Sequence, residues 1–399
     1  MPNPMQTRHI SVGTFTPTHR MTQLVNEVLN SGQISYGAKS RQFEQEMARL
    51  HHCRYAVLSN SGTSSLQVAL QAMQETHLWE RHHQVIVPVT TFIASANVVR
   101  HCNLRPVFVD VCPDTFNIDP EKVAEVINAT TRCVMPVHLL GQPADVTALK
   151  PLLDEEVKIL EDSCEAQFAT HHGQPVMSLG DIGVTSTYVA HLTVTGVGGL
   201  ALTNNPAYAA KIRSLVNHGL ALDQLNPDEN FAPQPMPGRR FIFDTYGHSF
   251  RLSEFEPALG LAQLETHQEM IRLRQRNAAH YRLRLDKLNQ RLDCPLAWQE
   301  YEPHNTVVPM MQSLVLTQQN GKNVDKLPLM RHLNAHGIET RDLPSCLGHK
   351  VYSYLSPADY PVSHWLWESG FYVSCVQDLT IDDVDYTADC LEGFFANGP

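Results

Sequence analysis

Val157-Lys158-Ile159-Leu160-Glu161-Asp162-Ser163-Cys164-Glu165-Ala166 runs from a short apolar stretch straight into a turn that carries carboxylates. A run of this length without alternation reads as a strand covered on both faces. Tyr55-Ala56-Val57-Leu58, Val85-Ile86-Val87-Pro88, Pro106-Val107-Phe108-Val109-Asp110 and Cys133-Val134-Met135-Pro136-Val137 have the same character. Helix-like segments such as Ser64 to Met73 and Pro120 to Asn128 fall between them. Alternation of this kind from about residue 55 to 205 predicts an α/β fold on a mainly parallel sheet with crossover helices. Ligands of such sheets collect outside the carboxyl ends of the strands, so the residues that follow each run are the candidates for chemistry.

The alternation stops at a proline-rich stretch, Leu222 to Gly238. Beyond it, a long charged helix is expected around Glu254 to Gln290, and Thr380 is expected to cap a final helix. The division that follows is a large domain over residues 1–250 and a smaller C-terminal domain over 251–399.

Composition narrows the function. The 399 residues carry 43% hydrophobic and 18% charged side chains, enough for a large core. A net charge of -11 argues against general nucleic-acid or anionic-membrane binding, which needs clustered Lys and Arg. No stretch approaches the ~18 apolar residues of a membrane span and Met1 to Ser11 lacks a signal-peptide core, so a cytoplasmic location is expected. The nine cysteines form no CxxC pair, which suggests neither disulfides nor an iron–sulfur site. The 21 histidines include pairs at 51–52, 82–83 and 171–172, none of which stands in an HxxxH or HExxH frame. Surface or packing roles are expected for them, and no metal site.

At the strand ends, Ser59-Asn60-Ser61-Gly62-Thr63-Ser64-Ser65 opens a helix where a phosphate would be welcome, although alone it also reads as a simple helix cap. Thr90-Thr91-Phe92 follows the Val85 run, and Phe92 taken alone reads as core.

A second stretch gives these positions a common meaning: Gly180-Asp181-Ile182-Gly183-Val184-Thr185-Ser186-Thr187-Tyr188-Val189-Ala190-His191, then Leu192-Thr193-Val194-Thr195-Gly196-Val197-Gly198-Gly199. It resembles the cofactor-lysine segment of the DegT/DnrJ/EryC1/StrS sugar aminotransferases, in which a serine precedes the lysine by five residues and a glycine-rich turn follows. His191 stands where that lysine is expected. Arg213-Ser214-Leu215-Val216-Asn217-His218-Gly219 and Gly247-His248-Ser249-Phe250-Arg251-Leu252-Ser253-Glu254 resemble two further family segments, and the resemblance spans roughly residues 20 to 395.

The resemblance implies the type I fold of pyridoxal phosphate (PLP) transferases: a large domain with a mainly parallel seven-stranded sheet and a smaller C-terminal α/β domain. It places Gly62, Thr63 and Ser186 on the cofactor phosphate, Phe92 against the ring, Asp162 on the pyridine nitrogen and Glu165 near the phenolic oxygen, where its carboxyl must hold or share a proton. Ser249 replaces an asparagine that usually reaches the phosphate of a neighbouring subunit, so a homodimer is implied. Arg239, Arg240 and Arg251 could hold a diphosphate or make ion pairs.

An imidazole cannot tether PLP covalently, yet it can move a proton. Within the family, the lysine-to-histidine exchange resembles the sugar 3-dehydratases, which use non-covalently bound pyridoxamine phosphate (PMP). The reaction implied is removal of a hydroxyl, at C3, from a 4-keto-6-deoxy nucleotide sugar, with His191 as acid/base and His218 as a candidate helper or a structural turn residue. No cysteine lies between Cys164 and Cys294, so the branch that needs an iron–sulfur reductase is not expected; regeneration of PMP by an amino donor such as glutamate is. Three alternatives stay open: an aminotransferase using another lysine (Lys150, Lys158 or Lys211), a PMP enzyme acting on a non-sugar substrate, and a catalytically inactive, regulatory relative.

Overall fold

The structure is a computed structural model that describes residues 8–35, 37–234, 237–238, 241–291, 296–317 and 323–397. Arg239 and Arg240 lie outside the described residues. The chain begins with α1 (His19–Ser31) and α2 (Ala38–Leu50), which precede the sheet. The large sheet is laid down by β1 (Tyr55–Ser59), β2 (Gln84–Pro88), β3 (Arg105–Val109), β4 (Thr131–Val134) and β5 (Lys158–Asp162), separated by α3 (Gly62–Thr76), α4 (Ile93–His101), α5 (Pro120–Val126) and the short α6 (Val146–Leu149). A hairpin of β6 (Thr170–His171) and β7 (Gln174–Pro175) follows, then β8 (Ile182–Ser186), β9 (Gly199–Thr203) and α7 (Pro206–Val216).

The seven-stranded sheet has the order β1-β9-β8-β5-β4-β2-β3. All pairs from β8 to β3 are parallel, and β9 alone runs the other way, antiparallel to both β8 and β1. The expected mainly parallel sheet is therefore present, and the five runs quoted from the sequence all fall on its strands. β8 and β9 are buried at every position, as the central strands of a two-sided α/β sheet must be. Local chemistry starts the helices: Ser61 caps α3 by accepting from Ser64 N–H at 3.0 Å, and Asp119 and Asn205 cap α5 and α7 ahead of a proline in the first turn.

Among its described residues, the proline-rich stretch holds a two-residue ribbon, β10 (Leu225–Asn226) with β11 (Ala232–Pro233), and short 3-10 turns. The single helix expected from Glu254 to Gln290 is two, α8 (Phe255–Leu264) and α9 (His267–Asn289), broken at Thr266. Their buried faces explain the break. Ala258, Leu261, Ala262 and Leu264 of α8 pack into the core under α1 and α2, whereas Tyr281, Leu285 and Leu288 of α9 pack into a separate core. That second core lies on the antiparallel sheet β12 (Leu296–Ala297), β14 (Met311–Leu316), β16 (Gly370–Ser374) and β15 (Thr340–Asp342), while β13 (Asn305–Thr306) pairs with β6 instead. α10 (Leu327–Ala335) and α12 (Ile381–Asn397) complete it, the last capped by Thr380 as its sequence indicates, while α11 (Pro361–Ser369) packs Leu366 into another cluster with Met311, Val315 and Leu343.

Two helix starts are capped by distant carboxylates. Asp110, just past β3, accepts from Val362 N–H (2.9 Å), Ser363 N–H (2.8 Å) and Ser363 O–H (2.6 Å) at the start of α11. Glu254 accepts from Lys39 N–H (2.8 Å) and Ser40 N–H (3.2 Å) at the start of α2. Asp110→Ala would leave buried N–H groups without acceptors, and the expected cost is about 1–3 kcal/mol, read as a fall in Tm.

Candidate active site

Pleating separates the acidic neighbours at the end of β5. Glu161 turns into the fully buried side, where its carboxylate accepts from Met177 N–H (3.0 Å) and Gly180 N–H (2.6 Å) and sits 3.0 Å from His138 Nε2. Asp162 turns the other way and accepts from Ser95 O–H (2.7 Å) and Cys164 N–H (3.2 Å). Thr91 Oγ1 lies 2.8 Å from Ser95 Oγ, so α4 supplies the chain that orients Asp162.

Glu165 accepts one hydrogen bond, from Leu140 N–H at 2.8 Å. Burial pushes its carboxyl up to about 7, with the nearby Asp162 charge adding to the rise against that bond. A carboxyl near neutrality can keep its proton and donate it.

Ser186 ends β8 opposite Gly199, which also pairs with Ser59 at the end of β1. A Cβ on Gly199 would meet Gly62 N at 2.6 Å, and one on Gly62 would meet Ser186 Cβ at 2.7 Å and Cys164 Sγ at 3.0 Å. Two glycines thus let the first turn of α3 approach the Ser186 hydroxyl. The first N–H groups of a helix have no intrahelical acceptors and its N-terminus favours anions, so Gly62, Thr63 and Ser186 together form a cradle suited to a phosphate. Thr63 is exposed there. Phe92 begins α4 with 62% of its surface exposed, which excludes a core role.

His191 sits on the loop between β8 and β9, and glutamines hold that loop. Thr193 N–H donates to Gln167 (3.1 Å), Val194 N–H donates to Gln263 (2.8 Å), and Gln263 donates back to Val194 carbonyl (2.6 Å). His191 N–H donates to Tyr188 carbonyl at 2.9 Å, and the Tyr188 ring lies edge-on, 6.5 Å away. The imidazole is half-buried, and its Nδ1 is shielded from solvent with no hydrogen-bond partner. Desolvation, with the Arg274 charge behind it, lowers its pKa to about 4, so the ring is neutral near pH 7 and available as a base. Gln167, Gln263, Ser95 and the Leu140 amide were invisible in the sequence, because each acts across more than twenty residues with no motif to announce it.

His218 and Ser249 form a second group. The Arg251 guanidinium lies 3.0 Å from His218 Nε2 and donates to Ser249 Oγ (2.9 Å) and Asn217 Oδ1 (3.3 Å). His218, Asn217 and Arg251 line a cavity of about 410 Å³ together with Arg41, Phe241 and Phe243. Within one chain, no hydrogen bond, ion pair or ring contact among the described residues joins this group to His191, Asp162 or Ser186. Arg213, from the same sequence segment, is spent on Glu44 in a two-pronged ion pair at 2.7 Å.

The profile of the DegT/DnrJ/EryC1/StrS aminotransferase family matches residues 17–392, and the chain belongs to that family. The GDP-perosamine synthase of Caulobacter vibrioides is 31% identical to it over 359 residues, 88% of each chain. Among solved structures it is similar to the Escherichia coli GDP-4-keto-6-deoxy-D-mannose-3-dehydratase with bound hydrated PLP (TM-score 0.85, 22% identity, 96% of this chain and all of that one). It is also similar to the aminotransferase from Psychrobacter cryohalolentis (TM-score 0.85, 27% identity, 97% and 99%). These confirm the fold class expected from the sequence.

Gly62→Ala should crowd Ser186 and Cys164 and weaken binding of phosphate-bearing ligands, measured by isothermal titration, with circular dichroism unchanged. The pH dependence of stability has two opposed contributions. Glu165, raised from 4.5 to about 7, holds its proton in the folded state, so stability is lost as pH rises through that window. His191, lowered from 6.5 to about 4, loses its proton on folding, so stability is gained as pH rises through that one. Glu165→Gln should therefore keep the His191 gain, remove the Glu165 loss, and be the more stable protein at about pH 8, by roughly 1–3 kcal/mol.

Proposed function

We propose that this protein is a PMP-dependent dehydratase that removes a hydroxyl, at C3, from a 4-keto-6-deoxy nucleotide sugar. The observation that carries the reading is His191, a neutral imidazole on the loop after Ser186, in place of an amine. Among the described residues, Lys158 Nζ is turned to the carbonyl of Glu155 and Lys211 is paired with Glu75 at 3.1 Å, so neither amine is offered to the cradle. PMP, when bound, supplies a primary amine for the sugar's keto group and an electron sink that allows the neighbouring hydroxyl to leave.

The chain's residues do the rest. Gly62, Thr63 and Ser186 bind the phosphate; Asp162, oriented by Ser95, accepts from the ring nitrogen; Phe92 covers the ring face. Glu165 keeps a proton for the ring's oxygen. His191 takes a proton on its imidazole and returns one to the departing hydroxyl, and the absence of an amine at 191 leaves the cofactor untethered and exchangeable with an amino donor such as glutamate. His218, Ser249 and Arg251 complete the site of a neighbouring copy in a homodimer, which accounts for their separation from His191 within one chain.

The likeness to a GDP-perosamine synthase favours a GDP-linked sugar, and it also supports a second reading, amino transfer to that sugar. Incubation with PMP, glutamate and a set of 4-keto-6-deoxy nucleotide sugars separates the two. Deoxygenated product with 2-oxoglutarate and ammonia supports dehydration, whereas an amino sugar overturns it. His191→Asn is expected to keep PMP binding and lose about 10²–10⁴ in turnover. Borohydride treatment of the wild-type protein with PLP should leave no modified lysine by mass spectrometry.

A further inference from the structure

The histidine pair at 171–172 acquires a third member that lies far away in sequence. β6 and β7 are joined by His172-Gly173, both with positive φ (49° and 78°), a two-residue hairpin of the type I′ kind. β13 pairs with β6 in the register Asn305↔His171 and Thr306↔Thr170, so His304 comes opposite His172. Those two rings lie 4.0 Å apart and 5° from parallel, both exposed, above the buried His171. One nitrogen from each of the three lies within 4.8 Å of the others.

The surroundings fix the hydrogen on His171. Asn305 Nδ2 donates to Glu302 (3.0 Å), which turns Asn305 Oδ1 toward His171 Nδ1 at 2.8 Å. Nδ1 therefore carries a hydrogen, and Nε2 faces Thr147 Oγ1 (2.9 Å) and the Asp145 carboxylate (3.3 Å). Asp145 Oδ1 also accepts from Ala148 N–H (2.8 Å) as the cap of α6, so its charge stays beside His171. Glu302 Oε2, 3.6 Å from His304 Nε2, adds negative charge.

We propose that His171, His172 and His304 form a binding site for a divalent transition-metal ion such as Zn²⁺ or Co²⁺. Imidazole nitrogens select such ions over Mg²⁺ or Ca²⁺, which prefer all-oxygen shells. The stacked pair needs only side-chain rotation to aim its lone pairs, and both rings are free to turn because they are exposed. Asn305 is the outer partner that orients His171. A bound ion ties the crossover between β5 and β8, which carries Glu165, to the segment that leads into β14. Its expected effect is on stability, and it is independent of the proposed reaction.

The test uses untagged, chelator-stripped full-length protein, with Co²⁺ and Zn²⁺ as probes, in titration calorimetry, visible spectroscopy and thermal melts. One ion per chain, a Co²⁺ spectrum without a thiolate charge-transfer band, and a Tm raised by Zn²⁺ are expected. His304→Ala and His172→Asn should each weaken binding by roughly tenfold or more. Asparagine suits the first position of a type I′ turn, so that variant should melt like the wild type in the absence of metal. No saturable binding, binding unchanged in both variants, a thiolate band, or a Tm that responds to pH alone would overturn the site.

Discussion

The close approach of the first turn of α3 to the end of β8 is the contact on which the candidate site rests. It exists because Gly199 and Gly62 carry no side chains where the backbones meet, and because β9 runs against its neighbours and brings Gly199 between Ser59 and Ser186. A methyl group at either glycine would press on backbone or on Ser186 itself. With the contact in place, helix N–H groups, a serine hydroxyl and the loop bearing His191 converge at one end of the sheet, where a parallel α/β sheet gathers its ligands.

Much of the sheet was legible because strands buried on both faces leave continuous apolar runs. β8 and β9 were harder to recognise as strands: Ile182-Gly183-Val184-Thr185-Ser186 and Gly199-Leu200-Ala201-Leu202-Thr203 contain the glycines and hydroxyls that the site demands, and these dilute the apolar signal. The α8–α9 break left no glycine or proline at the break itself, since it follows from which core each helix faces. Helix caps were readable when the cap was local, as with Ser61 and Thr380, and unreadable where Asp110 and Glu254 reach in from other parts of the chain.

In the candidate site, the sequence offers residue types at strand ends, and the structure adds what sets their charge. Glu161 and Asp162 look equivalent in sequence, yet the pleat makes one an anchor buried among backbone amides and presents the other to Ser95. Glu165 and His191 are displaced in opposite senses by the same cause, loss of water, so the acid tends to keep its proton and the base tends to lack one. The three histidines outside the site could not be read from spacing at all, because only the β6–β13 register brings 304 to 172.

The Asp110 carboxylate binds a helix of the C-terminal sheet to the edge of the large one at a seam that is almost wholly dry. Sliding the two layers apart there would strip three hydrogen bonds from an anion with no water to replace them. That seam therefore locks α11 against the edge strand, whereas Phe241, Phe243 and Tyr246 on the far side of the proline-rich stretch keep much of their surface in solvent.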